Sequence, residues 1–274
     1  MRATESKPHR YVQGASSYLK TLWARREFAW YMAMGNLRSR NASTALGLVW
    51  WVLNPLLMGG VYYIVFGRIL GISRDLSYLL SGVFVFYYTS TSITTGANAI
   101  VQNRQLLVNL QFPRLIMPIT AILEASVGFL TSIPALYLII GPSQDVWPSL
   151  QLLYLFPAIF VIQSILNLGL AAFTARITVP FRDITNVIPH LLRIWFYLSP
   201  ILYTASQFED LPSWAVNLYS LNPMVPLLSV YRSALLGSPF IPADLLQSAL
   251  WAFGIAVVAI AMFVKYEGKM ARYL

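Results

Sequence analysis

The chain contains no cysteine and only two histidines, and both shortages exclude kinds of site. Without cysteine there can be no disulfide bond and no thiolate metal site. His9 and His190 are far apart along the chain, so a histidine metal site is not favoured either. The sequence also lacks the Gly-x-x-x-x-Gly-Lys-[Ser/Thr] pattern of a phosphate-binding loop. We therefore expect no metal and no bound cofactor in this chain.

Charged residues are scarce as well. They make up 11% of the 274 residues, whereas a soluble domain carries about a quarter. Hydrophobic residues make up 57%, and the mean hydropathy is +0.61. Six apolar runs are long enough to cross the ~30 Å hydrocarbon core as helices. The sequence thus predicts an all-α polytopic membrane protein with six transmembrane helices, over residues 45–67, 78–100, 115–140, 150–175, 187–205 and 245–264.

Lys and Arg are distributed unevenly around these predicted spans. Fifteen lie in residues 1–44, in the loops after spans two and four, and in residues 265–274, whereas three lie on the opposite side. An excess of positive charge marks the cytosolic side of a membrane. We predict a cytosolic N-terminal segment (1–44), a transmembrane domain (45–264) and a cytosolic tail (265–274). Topology then accounts for the net charge of +9, and we expect no nucleic-acid partner.

Residues 207–240 are apolar but are interrupted by four prolines. A single crossing here would put the basic tail outside, against the charge distribution. Because the prolines argue against two full spans, we predict a re-entrant helical hairpin between spans five and six that acts as an outer gate. The alternative is a loop that only stabilises its neighbours. The predicted gate residues are Tyr219, Asn222, Pro223 and Tyr231.

Residues 18–34 place apolar side chains on one helical face, with Trp23 and Trp30 among them. Such a pattern is typical of an amphipathic helix in the lipid headgroup layer. Arg26 falls inside the apolar arc. Its side chain could snorkel to lipid phosphates. It could also bind the pyrophosphate of an incoming lipid carrier, because guanidinium groups suit phosphate.

The second half of span two is unusually polar, since six of the seven residues from Thr89 to Thr95 are Ser or Thr. This density fits a wet lining, with helix packing as the alternative. Aromatic residues lie near mid-membrane in spans two and five, away from the interfacial belts. Together they predict a surface along which a sugar chain slides, with plain core packing as the alternative. The predicted pathway residues are Phe84, Tyr87, Tyr88, Thr91, Thr95, Trp195 and Tyr197.

Ionisable residues inside or beside the predicted spans need partners. Glu124 lies about 14 Å deep in span three, where a lone charge costs at least ~2.5–3.5 kcal/mol. Arg193 in span five is its predicted partner and Arg176 the second choice, as a structural pair or as a moving gate contact. Asp183 is predicted to pair with Arg182 or Arg176, or to cap the following helix. We assign these five charges to an inner gate.

Five segments occur in a distinctive order: ALGLVWWVLNPLL (45–57), NRQLLVNLQFPRLIMP (103–118), VPFRDITNVI (179–188), SPILYTASQF (199–208) and LNPMVPLLSVYRSALLG (221–237). Together they resemble the membrane subunits of type-2 ABC transporters, which export lipid-linked polysaccharides, O-antigen and teichoic acids. The resemblance implies six spans, an amphipathic N-terminal helix and two short re-entrant helices between spans five and six. It also implies a homodimer in a 2:2 complex with an ATPase subunit, on which ATP and Mg²⁺ would bind.

The loop after span two is short and predicted to be cytosolic. An ATPase subunit needs a rigid element to push on, and a short helix from Gln102 to Asn109 would provide one. The alternative is an ordinary connector. The predicted coupling residues are Gln102, Arg104, Leu107 and Asn109.

These patterns predict the permease subunit of an ABC exporter that moves a lipid-linked glycan or a teichoic-acid-type polymer outward across the bacterial inner membrane. The chain would not be an enzyme by itself. One alternative is an ABC permease for a small lipid or drug, and another is a gradient-driven transporter that uses Glu124 as its proton site. An integral membrane transferase is a further alternative, but no cluster of His, Asp or Glu at the membrane surface argues for it.

Overall fold

The computed structural model describes residues 15–42, 46–69, 75–109, 113–203, 216 and 219–270, and within them the chain is helical with no strand. This confirms the all-α prediction. A 3-10 turn, Gly47–Val49, leads into α3, and a π-helical turn, Tyr63–Ile69, follows it. The helices are α1 (Ala15–Ala24), α2 (Arg26–Ala42), α3 (Trp50–Tyr62), α4 (Leu76–Gln102), α5 (Arg104–Asn109), α6 (Ile116–Gln144), α7 (Leu150–Thr178), α8 (Ile184–Leu198), α9 (Met224–Leu236) and α10 (Pro242–Met270).

Three of these helices, α6, α7 and α10, are long and apolar enough to cross a membrane. α4 has 27 residues, or ~40 Å at 1.5 Å per residue, but its hydroxyl-rich half makes it less apolar. α3 and α8 have 13 and 15 residues. α8 ends well before the predicted end of span five at residue 205, because Ser199 takes an extended conformation and Pro200 follows.

α7 lies at the centre of the bundle and packs against α10, α4 and α9, while α4 also packs against α6. Small residues allow the closest approaches. A Cβ added to Gly169 would lie 2.8 Å from the Cα atom of Ala256 in α10. A Cβ added to Gly96 would lie 3.0 Å from the Cα atom of Ala171. Such small-residue contacts are typical of membrane helix interfaces, where apolar burial alone gives no driving force.

α9 is a short helix with most of its surface buried inside the bundle. Pro223 precedes its first turn, and Gly237 ends it in the left-handed conformation with φ of 70°. The Tyr137 hydroxyl of α6 donates a hydrogen bond to the Leu235 carbonyl at 2.9 Å. Thirteen residues span only ~20 Å as a helix. Of the predicted hairpin, residues 207–215, 217 and 218 lie outside the described residues.

The predicted amphipathic helix over 18–34 consists of two helices, α1 and α2, which meet at Arg25. Its apolar residues divide into two groups because α2 packs against α6. The buried group is Tyr18, Ala29, Ala33 and Leu37. The exposed group is Leu19, Trp23, Trp30 and Tyr31.

One end of the bundle brings α5 together with the C-terminal ends of α4, α7 and α10 and the N-terminal end of α6. We call it the basic end, because Arg104, Arg114, Arg176 and Lys265 all lie there. A second hydrophobic cluster, separate from the main core, holds it together and includes Ile100, Leu107 and Phe263. This is the end that the charge distribution predicts to be cytosolic.

Candidate functional site

A polar cavity opens near the basic end between α2, α4 and α6. It is partly open to the outside, and the room that it offers to water-sized molecules is about 20 Å³. Its walls combine a carboxylate, amides and hydroxyls with methionine and alanine, so polar and apolar groups could both be accommodated. The lining residues are Met32, Asn36, Thr95, Ala99, Gln102, Asn103, Met117, Thr120, Ala121 and Glu124.

Glu124 is the buried acid of this cavity, with 1% of its surface exposed. The Asn36 side-chain amide donates a hydrogen bond to its Oε2 atom at 3.4 Å. The predicted pairing of Glu124 with Arg193 is wrong. Glu124 faces α2, whereas Arg193 is exposed on α8, which packs against α4 and α7. Sequence alone gives no sign that an amide from the N-terminal region neighbours span three, since 88 positions separate Asn36 from Glu124.

The other charges of the predicted inner gate are also placed differently. The Arg176 guanidinium lies 4.1 Å from the ring centroid of Tyr266, so a cation–π contact takes the place of the expected carboxylate. Arg182 and Asp183 are both exposed. Asp183 precedes α8, but its side chain makes no cap hydrogen bond. Among the described residues, Asp183 forms no ion pair with Arg176 or Arg182.

A hydrogen-bonded cluster that the sequence did not predict joins the two ends of the chain. The Tyr18 hydroxyl of α1 donates to Oε2 of Glu267 at 2.7 Å. The backbone N–H of Arg114 donates to Oε1 of Glu267 at 2.6 Å, and the Arg114 guanidinium donates to the Glu267 carbonyl. We call this cluster the terminal latch. It links α1, the segment before α6 and the last turns of α10.

Burial shapes the electrostatics of the terminal latch. It raises the pKa of the Tyr18 hydroxyl above its ordinary value, and the neighbouring Glu267 charge raises that pKa further. Burial also lowers the pKa of the Arg114 guanidinium, although Glu267 opposes this shift. The tyrosine therefore remains a hydrogen-bond donor. Sequence analysis predicts a cytosolic tail over 265–274 and no role for Glu267, whereas α10 continues to Met270. The signal available in the sequence is that Glu267 is the single acidic residue among the basic ones of 265–274.

The predicted coupling element is a helix. α4 ends at Gln102, Asn103 forms the break, and α5 follows. Leu107 is buried in the cluster of the basic end, whereas Gln102 and Arg104 are exposed. The backbone of Asn109 lies in α5, and its side chain is outside the described set. The element is thus anchored by one apolar residue and presents polar residues outward.

Arg26 lies at the first residue of α2, on the exposed side. Its guanidinium donates to the Trp23 carbonyl at 3.2 Å and lies 5.2 Å from the Trp23 ring centroid. Its NH2 atom is 3.8 Å from Oε1 of Glu27. These contacts are weak and exposed, so the guanidinium can exchange them for a phosphate.

Two predicted pathway residues belong to the core. Phe84 and Tyr88 are each 1% exposed, so they cannot line a pathway within this chain, and the prediction for them is wrong. The Tyr88 ring stacks on Phe129 at 4.9 Å between centroids. Its hydroxyl hydrogen bonds to Ser126 at 2.7 Å and to Ser164 at 2.8 Å. Aromatic stacking between α4, α6 and α7 buries these rings.

The hydroxyls of α4 divide between packing and accessible positions. Gln163 of α7 donates to the Thr89 hydroxyl at 2.9 Å, and Asn167 donates to the Ser92 hydroxyl at 3.3 Å. Both hydroxyls are fully buried, so the packing interpretation holds for them. The remaining predicted pathway residues are half-buried or exposed: Tyr87, Thr91, Thr95, Trp195 and Tyr197.

Asn222 connects α8 to the start of α9. The Trp195 indole donates to Asn222 Oδ1 at 2.9 Å, and the Asn222 amide donates to the Leu198 carbonyl at 3.0 Å. Tyr219 is half-buried, with its ring 6.5 Å from that of Tyr203. The backbone of α9 therefore begins in contact with the end of α8, with Pro223 at the junction.

Tyr231, predicted to touch the substrate at the outer gate, is fully buried, so that role is wrong. Its ring meets Phe129 and Phe156 edge to face. Next to it, Arg232 lies over the Tyr78 ring, 3.4 Å from the centroid, and donates to the Pro200 carbonyl at 2.6 Å. α9 is thereby fastened to α4 and to the turn after α8. The charge distribution makes Arg232 one of the three basic residues on the outer side, but it does not predict this buried link.

Comparisons with known proteins show the family to which this chain belongs. Residues 28–236 match the family described as ABC-2 type transporter. The chain is 33% identical over 199 residues to an O-antigen export system permease protein, RfbA, of Myxococcus xanthus, covering 72% of this chain and 75% of that protein. Two Klebsiella pneumoniae proteins of the same name are 24% and 25% identical, each covering 87% of this chain and 92% of the relative. The resemblance is thereby confirmed: the chain belongs to the ABC-2 type transporter family and is an integral membrane transport subunit.

Proposed function

We propose that this chain is the permease subunit of an ABC exporter that moves a lipid-linked polysaccharide of the O-antigen type outward across the bacterial inner membrane. The observation that carries the proposal is the match to three proteins named as O-antigen export permeases, which extends over 72–87% of this chain. A shared length of this extent means that the transport architecture as a whole is compared, not one motif. A teichoic-acid-type polymer is the related alternative substrate.

The proposed topology has six spans, formed by α3, α4, α6, α7, α8 and α10, with both termini in the cytosol. Its support is the distribution of Lys and Arg, fifteen against three. Residues 1–44 and 265–274 then form the cytosolic segments, and 45–264 the transmembrane domain. The exposed aromatic side of α1 and α2 suits the headgroup layer. α9, short and buried, suits the returning half of a re-entrant hairpin.

Energy comes from a separate ATP-binding subunit in this proposal, in a 2:2 complex with a homodimer of this chain. ATP and Mg²⁺ bind to that subunit. The ATP-binding subunit pushes on α5. Leu107 anchors this helix in the bundle, while Gln102 and Arg104 stay exposed for contact with that subunit. The terminal latch then carries the movement of the segment before α6 to α1 and α10.

The substrate reaches the pathway from the cytosolic leaflet. Arg26 takes the lipid phosphate at the surface, and the polar cavity beside Glu124 offers amide, carboxylate and hydroxyl partners to a sugar hydroxyl that reaches its opening. The glycan then follows Tyr87, Thr91, Thr95, Trp195 and Tyr197 outward. Arg182 and Asp183 flank the inner opening.

The outer gate of this proposal uses Tyr219, Asn222 and Pro223. Asn222 holds the start of α9 against Trp195 and Leu198. A movement of α8 would therefore move the hairpin. The exit would open when the ATP-binding subunit moves the inner end of the pathway.

The test is reconstitution of the chain with its ATPase subunit in vesicles that contain a fluorescent lipid-linked polysaccharide. ATP should drive the glycan to the opposite leaflet, where an impermeant lectin binds it, and the isolated chain should hydrolyse no ATP. Transport of small lipids or drugs with no movement of the glycan would contradict the proposal. So would ATP hydrolysis at a transporter's rate by the chain alone.

A gradient-driven transporter is the second candidate, favoured by one observation, the burial of the Glu124 carboxylate in a polar cavity. It predicts transport that needs a pH gradient and no ATP. Replacement of Glu124 by Gln would then abolish transport, whereas an ATP-driven exporter should retain a measurable rate.

A further inference from the structure

α8 has three distinct faces. Residues three or four positions apart share a face of a helix. The face turned to the bundle is buried and consists of Ile188, Leu192 and Phe196. The apolar face is exposed and consists of Val187, Leu191, Ile194 and Leu198. The polar face is also largely exposed and consists of Asn186, His190, Arg193 and Tyr197.

The polar face cannot lie against lipid at membrane depth. Arg193 lies nine residues after the start of α8 and five before its end, or ~14 Å and ~8 Å along the helix. Ionisable residues at such depth face a bundle interior or a water-filled cavity, and they mark substrate pathways. The hydroxyls of Tyr62 in α3 and Tyr197 are hydrogen-bonded to each other, and the charge of Arg193 acts on Tyr62.

Arg193 differs from two arginines whose guanidinium groups are held by contacts within the protein. Arg176 is held over the Tyr266 ring, and Arg232 is held over the Tyr78 ring and donates to a carbonyl. Arg193, in contrast, is exposed and forms no ion pair with any acidic residue of the described ranges. Its charge is therefore available for a ligand rather than used in packing.

We propose that His190 and Arg193 form an anion-binding site that takes the phosphate group of the exported lipid during its passage. This inference rests on the proposed function, which supplies a lipid-linked substrate. A guanidinium group binds phosphate oxygens with two parallel hydrogen bonds. The Tyr62 and Tyr197 hydroxyls and the His190 imidazole add donors around the same position.

The neighbouring apolar face identifies the lipid as the source of the phosphate. Successive residues on a helix are rotated by ~100°. Each residue of the polar face therefore has an apolar neighbour that is also exposed, as Ile194 is beside Arg193. A phosphate bound at Arg193 leaves its hydrocarbon chain next to the apolar face. A phosphate within a water-soluble polymer would have no use for that surface.

The test measures binding of two probes to the purified chain in nanodiscs, decaprenyl diphosphate and decaprenol. The wild-type chain should prefer the diphosphate by about tenfold or more, the effect of one or two charge-assisted hydrogen bonds. Arg193→Gln should remove most of this preference, and Arg193→Lys should retain part of it, because a lysine keeps the charge but loses the fork. Lys265→Gln, which removes an exposed cation at the basic end, should match the wild type.

Several outcomes would overturn the inference. An unchanged preference in Arg193→Gln would mean that the side chain only snorkels. Equal binding of poly(glycerol phosphate), with the same dependence on Arg193, would assign the site to the polymer instead of the lipid. The two proposals fail separately: a correct diphosphate preference without export of the glycan contradicts the function alone, and export unaffected by Arg193→Gln and His190→Gln together contradicts the site alone.

Discussion

α7 and α8 are neighbours in the chain and both carry polar residues, but they use them in opposite ways. On α7, Gln163 and Asn167 are fully buried and bonded to the Val85 carbonyl and to hydroxyls of α4. On α8, His190 and Arg193 are exposed. The same class of side chain thus locks two helices together in one place and stays accessible in the other.

This difference shows that a polar side chain in a membrane helix has one of two roles. Only the groups packed around it tell which role it has. A polar group with a protein partner contributes to stability. A polar group without one requires water or a ligand and indicates a pathway. Substitutions on α7 should therefore reduce stability, whereas substitutions on α8 should reduce transport with little effect on stability.

The largest loss of stability is expected from Gly169→Leu, which disrupts the interface between α7 and α10. The added side chain would collide with the backbone of Ala256, so the helices must separate, at a cost of about 3 kcal/mol or more. Little monodisperse protein should be recovered by gel filtration. Gly254→Leu is the control, because a Cβ there meets nothing within 4 Å. Equal recovery of both variants would show that α7 and α10 are not tightly packed.

Glu267→Ala should have the next largest effect, since it leaves the Tyr18 hydroxyl and the Arg114 N–H without their acceptor. Loss of these bonds should lower the free energy of unfolding by about 2–3 kcal/mol. Thermal melting in detergent measures the loss. Lys265→Ala, at an exposed position two residues away, should stay within about 0.5 kcal/mol of the wild type. A smaller loss for Glu267→Ala than for Lys265→Ala would refute the terminal latch.

Gln163→Leu, compared with a substitution on α8, tests whether polar residues stabilise the fold on α7 but not on α8. It removes hydrogen bonds to the Val85 carbonyl and the Thr89 hydroxyl and should cost about 1–2 kcal/mol. His190→Gln, on the exposed face of α8, should leave the melting temperature unchanged. The comparison between the helices would be reversed if His190→Gln proved the more destabilising.

Substitutions of Arg26 should have the smallest effect, and they should change only the rate of transport. Arg26→Lys should slow export about twofold and Arg26→Glu about tenfold, because a carboxylate repels lipid phosphate while lysine keeps a positive charge. The initial rate of ATP-dependent export measures both, and equal yields of the purified complexes control for assembly. If neither variant exports more slowly than the wild type, Arg26 only snorkels.

Much of the fold could be predicted from apolar runs and prolines. The helical class, the positions of α6, α7 and α10 and the short helix after span two all follow from composition along the chain. The end of α8 was set too late, because the apolar pattern continues through Pro200 while the helix does not. The division of α1 from α2 has no sequence signal as strong as proline or glycine.

The partners of polar residues could not be predicted, because they depend on which helices are adjacent. Glu124 is bonded by Asn36, 88 residues away, and Tyr88 meets serines on two other helices. Helical periodicity tells which residues share a face, but it does not tell what that face meets. For this reason Tyr88, predicted to line the pathway, lies in the core, and Arg193, predicted to pair with Glu124, lies exposed on α8.

The terminal latch also constrains when the protein can finish assembling. Tyr18 and Glu267 are 249 positions apart, so a helix that is made early obtains its partner from one that is made much later. Until α10 is inserted, Tyr18 lacks this acceptor, and α1 is held only by its packing on α2 and on those residues of the second hydrophobic cluster that precede α10. A chain that stops before Glu267 therefore never fixes the Tyr18 hydroxyl as the full bundle does.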